Sequence, residues 1–282
     1  MFKRLLPLIA AFALAAPLAA QPPAEPPIDP ACPQGDLNAP RGPGIICLGK
    51  LDEAVAFSVV YPRSIEAIPE LAEVLRGEWG TALAWIEAQA RAHRAERAAD
   101  GGAPQRLSYE AGWRIDADTP EIVAASGTIS HYTGGAHGGI EYKTVLIDRR
   151  LGRRIALTDL FAPGFFGTTF ARQRLWGVRA VQRAFCAALT AEVRERRDDP
   201  AAAVDCPLVE TQPVTLVCGE SGRIEALRAL LNPYVVGAWA EGPYEVDVPI
   251  DAAMMSVIKR RLRPAFGLAG ENRPRVPARP CR

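Results

Sequence analysis

Apolar and polar positions along the chain switch between a helical period and an alternating one, and the switches mark its elements. From Pro69 to Ala99, Leu71, Val74, Leu75, Trp79, Ala82, Leu83, Ile86 and Ala90 follow i, i+3, i+4 spacing. One apolar stripe of this kind predicts a long amphipathic helix. Gly77 and Gly80 interrupt it. Each weakens a helix by about 1 kcal/mol relative to alanine, so a close neighbour or a bend is expected there. The cationic run Arg91–Arg97 suits the negative end of the helix dipole, and Asp100-Gly101-Gly102 stops the element. A second stripe comprises Phe170, Val178, Val181, Phe185, Leu189 and Val193, with Thr168 or Thr169 as its cap. Asp251 caps a last helix that turns Met254, Val257, Ile258 and Leu262 inward, with Pro264 beyond its end.

Strand patterns fill the remainder. Ala54–Tyr61 is a short apolar run suited to a strand buried on both faces, and Leu107–Asp116 is a second strand. Ile122–Tyr132 and Ile140–Asp148 are rich in Val, Ile, Thr and Tyr and flank the glycine-rich loop Thr133–Gly139. That predicts a β-hairpin with a sharply bent tip. Arg149–Phe161 reads as a turn at Leu151-Gly152, a short strand and an apolar corner at Leu160 and Phe161. Val214–Val217 and Arg223–Leu231 are strands about the turn Gly219–Gly222. Tyr244–Ile250 alternates apolar and polar, and Pro249 places it near a sheet edge. Strands and helices come in clusters, which predicts an α+β fold.

The 282 residues, 49% hydrophobic and 23% charged, are ordinary for a globular chain of one large domain or two small ones. The beginning reads differently. Lys3 and Arg4 precede the apolar run Leu5–Leu14 and the small-residue site Leu18-Ala19-Ala20, so residues 1–20 read as a cleavable signal peptide with Gln21 first in the mature chain. No cysteine follows the site to take a lipid. No other stretch approaches the roughly 20 apolar residues of a membrane helix. The expected location is periplasmic or secreted, with no transmembrane helix after cleavage. Gln21–Pro43 is proline-rich and reads as a linker or arm, extending to about residue 50.

Export changes the reading of the cysteines. Cys32, Cys47, Cys186, Cys206, Cys218 and Cys281 are an even number with no CxxC spacing, so disulfides are expected rather than a zinc site or redox pair. Proximity in sequence favours Cys32–Cys47 and Cys186–Cys206, leaving Cys218–Cys281. Charge is uneven too. Lys259–Arg282 holds eight basic residues and one acidic, Glu271, while the mature chain before it holds 23 basic and 31 acidic. An acidic body attracts basic partners and repels nucleic acid.

Candidate chemistry is sparse. His137 in GGAHGG lies in an accessible loop, where its ring nitrogens can hold the loop or act on a ligand. His131 shares a strand face with Ile129 and Val123, and His93 lies on the polar side of its helix. The separation of His131 and His137 is no recognised metal-ligand spacing, and no metal or cofactor is expected. No GxSxG elbow occurs, Ser126 lies inside a strand, and no Gly-Lys-Ser/Thr follows the glycine loop. No catalytic residue is assigned.

Tyr61-Pro62, the motif Tyr132–Gly139 (YTGGAHGG), Leu151–Phe161 (LGRRIALTDLF) and Asn232–Ile250 (NPYVVGAWAEGPYEVDVPI), in that order, resemble a two-part extracytoplasmic module. It forms the ectodomain of lysozyme-sensing anti-sigma factors (RsiV-like) and precedes the catalytic domain of certain peptidoglycan deacetylases (PdaC-like). The resemblance covers roughly Leu51 to Phe266 and implies two packed α+β halves with antiparallel sheets and long amphipathic helices. It divides the chain into a PdaC-like half (51–150), an RsiV-like half (151–266) and a basic tail (267–282). The metal-dependent deacetylase domain, with its Asp-Asp pair and His-x-x-x-His set, is not in this sequence. The resemblance therefore implies a non-catalytic envelope-binding module whose ligand is a lysozyme-like protein or peptidoglycan. Expected binding residues are Tyr132, Gly134, Gly135, His137, Gly138, Gly139 and Tyr244. The alternative is a hydrolase acting on envelope polymers through His137 and an acidic partner.

Overall fold

A computed structural model describes residues 44–162, 170–269 and 281, without the side chains of residues 170–178. The expected signal peptide, the Gln21–Pro43 stretch, Cys32, the capping Thr168 or Thr169, the side chains of Phe170 and Val178, and the tail arginines lie outside the described residues. The fold is α+β, built on two sheets. The first has six strands in sequence order: β1 (Ile45–Leu51), β2 (Val55–Pro62), β3 (Leu107–Asp118), β4 (Ile122–Tyr132), β5 (Gly139–Asp148) and β6 (Arg153–Ile155).

β1 falls inside the stretch expected to be an arm. It is an edge strand with partly exposed residues and no clean alternation, so its sequence carries little strand signal. A second difference is the pairing of β2 with β3, which is parallel, whereas only antiparallel sheets were expected. Parallel neighbours need a crossover, and here it is α1 (Pro69–Ala99), 31 residues long. Its stripe is buried against the sheet: Leu71, Leu75 and Ile86 are fully buried, Trp79, Ala82 and Ala90 nearly so, and Val74 and Leu83 flank them. Trp79 packs against Tyr61 of β2, ring centroids 4.6 Å apart and planes tilted by 31°. The expectation for the helix glycines is corrected, since α1 runs through both and a Cβ at Gly77 or Gly80 would meet nothing within 4 Å.

β4 and β5 serve two cores. Val123, Ala125, Ile129, Val145 and Ile147 point towards α1, while Ile122, Ala124 and Leu146 point the other way. A β-bulge at Asp116 moves β3 from one face to the other, since Ile115 pairs with Ala125 and Ala117 with Ala124. Trp113 therefore belongs to the first core and Ala117 to the second.

The second sheet is an antiparallel meander of β7 (Val214–Cys218), β8 (Ile224–Leu231) and β9 (Tyr244–Pro249). β9 is an edge strand, as the proline implied. α2 (Phe170–Arg197) contributes Val181, Phe185, Leu189 and Val193 to this core, all fully buried. α3 (Ala252–Val257) starts where Asp251 accepts the Met254 N–H at 2.6 Å. It ends earlier than its apolar pattern suggests. Ile258 and Leu262 are buried beyond it, Ile258 through a β-bridge to Phe161.

Cys186–Cys206 and Cys218–Cys281 are disulfide-bonded, with Cα atoms 5.7 and 5.4 Å apart. Cys47 is bonded as well, and Cys32, its expected partner, lies outside the described residues. Two buried carboxylates tie the first sheet to the C-terminal half of the fold. Asp116, on the bulge, accepts from the Thr215 hydroxyl at 2.5 Å and from Arg114 at 2.8 Å. Asp148, at the end of β5, pairs with Arg261. Burial pushes the Asp148 carboxyl up, but the guanidinium and the N–H groups of Leu151 and Arg150 hold it below its usual range. No helix among the described residues is long and apolar enough to cross a membrane.

Candidate functional site at the hairpin tip

The loop between β4 and β5 is shaped by what lies against its glycines. Gly134 has φ +94°, and a Cβ there would sit 2.8 Å from the His93 ring. A Cβ at Gly139 would sit 2.3 Å from the His131 ring, and one at Gly138 would sit 2.9 Å from the His131 carbonyl oxygen. Gly135 has no such constraint, its nearest atom being 3.8 Å away. The two other histidines thus support the loop. His131 meets Trp85 of α1 edge to face at 5.5 Å. His93 accepts the Gln105 N–H at 3.4 Å, and Tyr132 donates to the Gln105 side chain at 2.7 Å. His93 therefore has a packing role that its place on a polar helix face gave no reason to expect.

His137 itself is exposed. Its Nδ1–H donates to the Gly138 carbonyl at 2.9 Å, which in the neutral ring leaves Nε2 to accept from the Tyr234 hydroxyl at 3.4 Å. Its ring stacks on Trp239, centroids 4.6 Å apart and planes 22° from parallel. Tyr234 and Trp239 lie 5.9 Å apart. Tyr234 is 64% exposed and has φ 70°, in the left-handed region that a bulky residue rarely adopts. Two loops about a hundred positions apart in sequence thus form one aromatic face.

The second loop, residues 232–243, is rigidly held. The Asn232 side chain accepts the Tyr142 N–H at 2.7 Å, joining the loop to β5. The Tyr142 hydroxyl donates to Glu245 at 3.2 Å, and burial followed by that carboxylate pushes its pKa up to about 12. Glu241 is the loop's anchor. It takes two hydrogen bonds from Arg197 at the end of α2, at 2.9 and 3.1 Å, and one from the Tyr244 hydroxyl at 2.5 Å. It also accepts the Ala238 N–H at 3.2 Å. The Arg197 and Tyr244 hydrogen bonds hold the Glu241 carboxyl down at about 2. Tyr244 is 1% exposed, with Arg196 lying 3.8 Å over its ring, so it braces the loop from behind.

Of the expected binding residues, the structure therefore brings Tyr132, Gly134, Gly135, His137, Gly138 and Gly139 to the tip and leaves Tyr244 beneath it. Tyr234 and Trp239, which complete the face, are not among the expected binding residues. The only signal for them was their place in the aromatic, glycine-spaced segment Asn232–Ile250. Among the described residues, no group of three or more His, Cys, Asp or Glu side chains could hold a metal. The hydrogen-bond partners of His137 are a carbonyl and a phenol, neither of them a carboxylate.

No protein-family model matches this chain, and no curated protein matches it. Among solved structures it is similar to a DUF3298 family protein from Pseudomonas aeruginosa PAO1, with 17% identity and a TM-score of 0.44 over 74% of this chain and 86% of that one. It is also similar to a member of the same family from Bacteroides fragilis, with 15% identity and a TM-score of 0.45 over 74% and 85% of the two chains.

Proposed function

We propose that this protein is an exported, non-catalytic module that binds a ligand of the cell envelope through the face formed by residues 133–138 and 232–243. The observation that carries the reading is the stack of exposed His137 on Trp239. It joins two loops of separate sheets at a place where the His137 and Tyr234 rings are exposed and Trp239 is half-buried. Oxidised cysteines suit an oxidising compartment, in keeping with the signal-like start. The resemblance to RsiV-like and PdaC-like modules supplies the ligand candidates, a lysozyme-like protein or peptidoglycan. The hydrolase reading through His137 and an acidic partner has less behind it, since the two hydrogen-bond partners of His137 are a carbonyl and a phenol.

The test is co-sedimentation of the mature protein with purified peptidoglycan sacculi, alongside surface binding to a panel of lysozyme-like muramidases. Retention by at least one is expected, with loss in the Trp239→Ala variant. Retention by neither, or retention unchanged by Trp239→Ala, ends this reading.

A further inference from the structure

We propose that the aromatic face binds the flat, C–H-rich side of an uncharged sugar ring, so that the ligand recognised there is a neutral glycan strand. This rests on the binding-module reading and narrows it. Three observations point to it. First, His137 stacked on Trp239 and Tyr234 tilted beside it leave the His137 and Tyr234 rings exposed, and the axial C–H bonds of a pyranose carry the partial positive charge that exposed ring faces attract. Second, the polar atoms lie at the rim. The Tyr234 hydroxyl and His137 Nε2 face each other at 3.4 Å, a loose contact that equatorial sugar hydroxyls could replace with shorter hydrogen bonds. Third, Tyr234 holds a strained backbone conformation while its ring stays 64% exposed, so burial does not offset the strain. Strain kept without a folding gain is characteristic of ligand-binding positions.

Charge decides which sugar. Arg197 at the base of the loop is matched by Glu241, so among the described residues of the two loops no free cation is offered to an acid group. The body before Lys259 is acidic and repels polyanions. Uronates and phosphate-linked polymers are therefore disfavoured, and N-acetylated or plain hexose chains fit.

The experiment titrates the full mature chain with the tetramer of N-acetylglucosamine, followed by tryptophan fluorescence and by amide chemical shifts, with oligogalacturonate as the anionic control. Saturable binding is expected, with shifts confined to residues 133–138 and 232–243. Trp239→Ala should lower affinity by about tenfold, and Tyr234→Ala by several-fold. Tyr234→Phe keeps the ring and should lie between Tyr234→Ala and the unaltered protein. Because Trp239→Ala could disturb the loop, the Tyr234 pair is an independent reading, and unfolded variants are identified from their amide spectra. No saturable binding of the tetramer overturns the proposal. So do shifts centred elsewhere, equal binding of oligogalacturonate, or Tyr234 variants within twofold of the unaltered protein. Muramidase binding that is lost in Tyr234→Ala, together with no tetramer binding, would end the glycan assignment and leave the binding module standing.

Discussion

Tyr234 combines a left-handed backbone with an exposed ring, and each property predicts a different response to substitution. Tyr234→Gly removes the Cβ clash and should raise stability by about 1 kcal/mol in urea unfolding, while weakening ligand binding. A variant less stable than the original would show that the ring's contacts matter more than its strain. Gly139→Ala should do the reverse. Its Cβ would enter the His131 ring, which also meets Trp85 edge to face, and a loss of about 1–3 kcal/mol is expected. Glu241 has a pH signature. Its folded pKa of about 2 lies below the ordinary carboxylate value, so its contribution is complete above about pH 4.5 and fades as pH falls through 2. The difference in melting temperature between the original protein and Glu241→Gln should therefore be largest near neutrality and shrink towards pH 2. A difference that stays constant would place the loop's stability elsewhere. At this scale the sequence exposed His137, because four glycines around one histidine are conspicuous. It hid Tyr234 and Trp239, whose contact with His137 spans about a hundred residues and follows no local period.

The elements were legible wherever burial imposed a period. α1 showed its stripe, β4 read as a strand because its first six residues are buried on both faces and are β-branched or small, and β5 because it alternates at its start and ends in a buried apolar run. β1 was invisible for the opposite reason, being half exposed at an edge. The parallel β2–β3 pair could not be read either, since strand direction depends on where α1 returns the chain. The open surroundings of Gly77 and Gly80 yield a direct test. With nothing within 4 Å of either Cβ position, Gly77→Ala and Gly80→Ala should each stabilise the protein by about 1 kcal/mol. Thermal or urea unfolding would show it, and a loss from either would mean that α1 needs its glycines for something outside its own packing. Replacing Cys186 and Cys206 by alanine should lower stability by about 3 kcal/mol, for a bridge closing a 20-residue separation. The loop should keep its place nonetheless, because Gln182 donates to the Pro207 carbonyl and accepts the Val209 N–H, each at 2.8 Å.

For the molecule as a whole, the acidic body bears on how a partner arrives. If the envelope ligand is a basic muramidase, association should slow as salt rises above physiological strength, where the screening length of about 8 Å shortens further. Changing Arg273, Arg275 and Arg279 to Gln should leave that rate unchanged or faster, since those residues oppose a basic partner. A slower rate in this variant, measured by surface binding, would assign the recognition to the tail. The shared strands have a different consequence. Ala117, Ile122, Ala124, Leu146 and Ile155 belong to the first sheet by hydrogen bonding but to the second core by packing, and Asp116 and Asp148 carry polar links across the same seam. A gene fragment encoding only the six-stranded sheet and α1 would leave that apolar underside wet and take Thr215 from Asp116 and Arg261 from Asp148. Recombination could thus move the pair of sheets between proteins as one cassette, while a cut between them would yield two insoluble pieces.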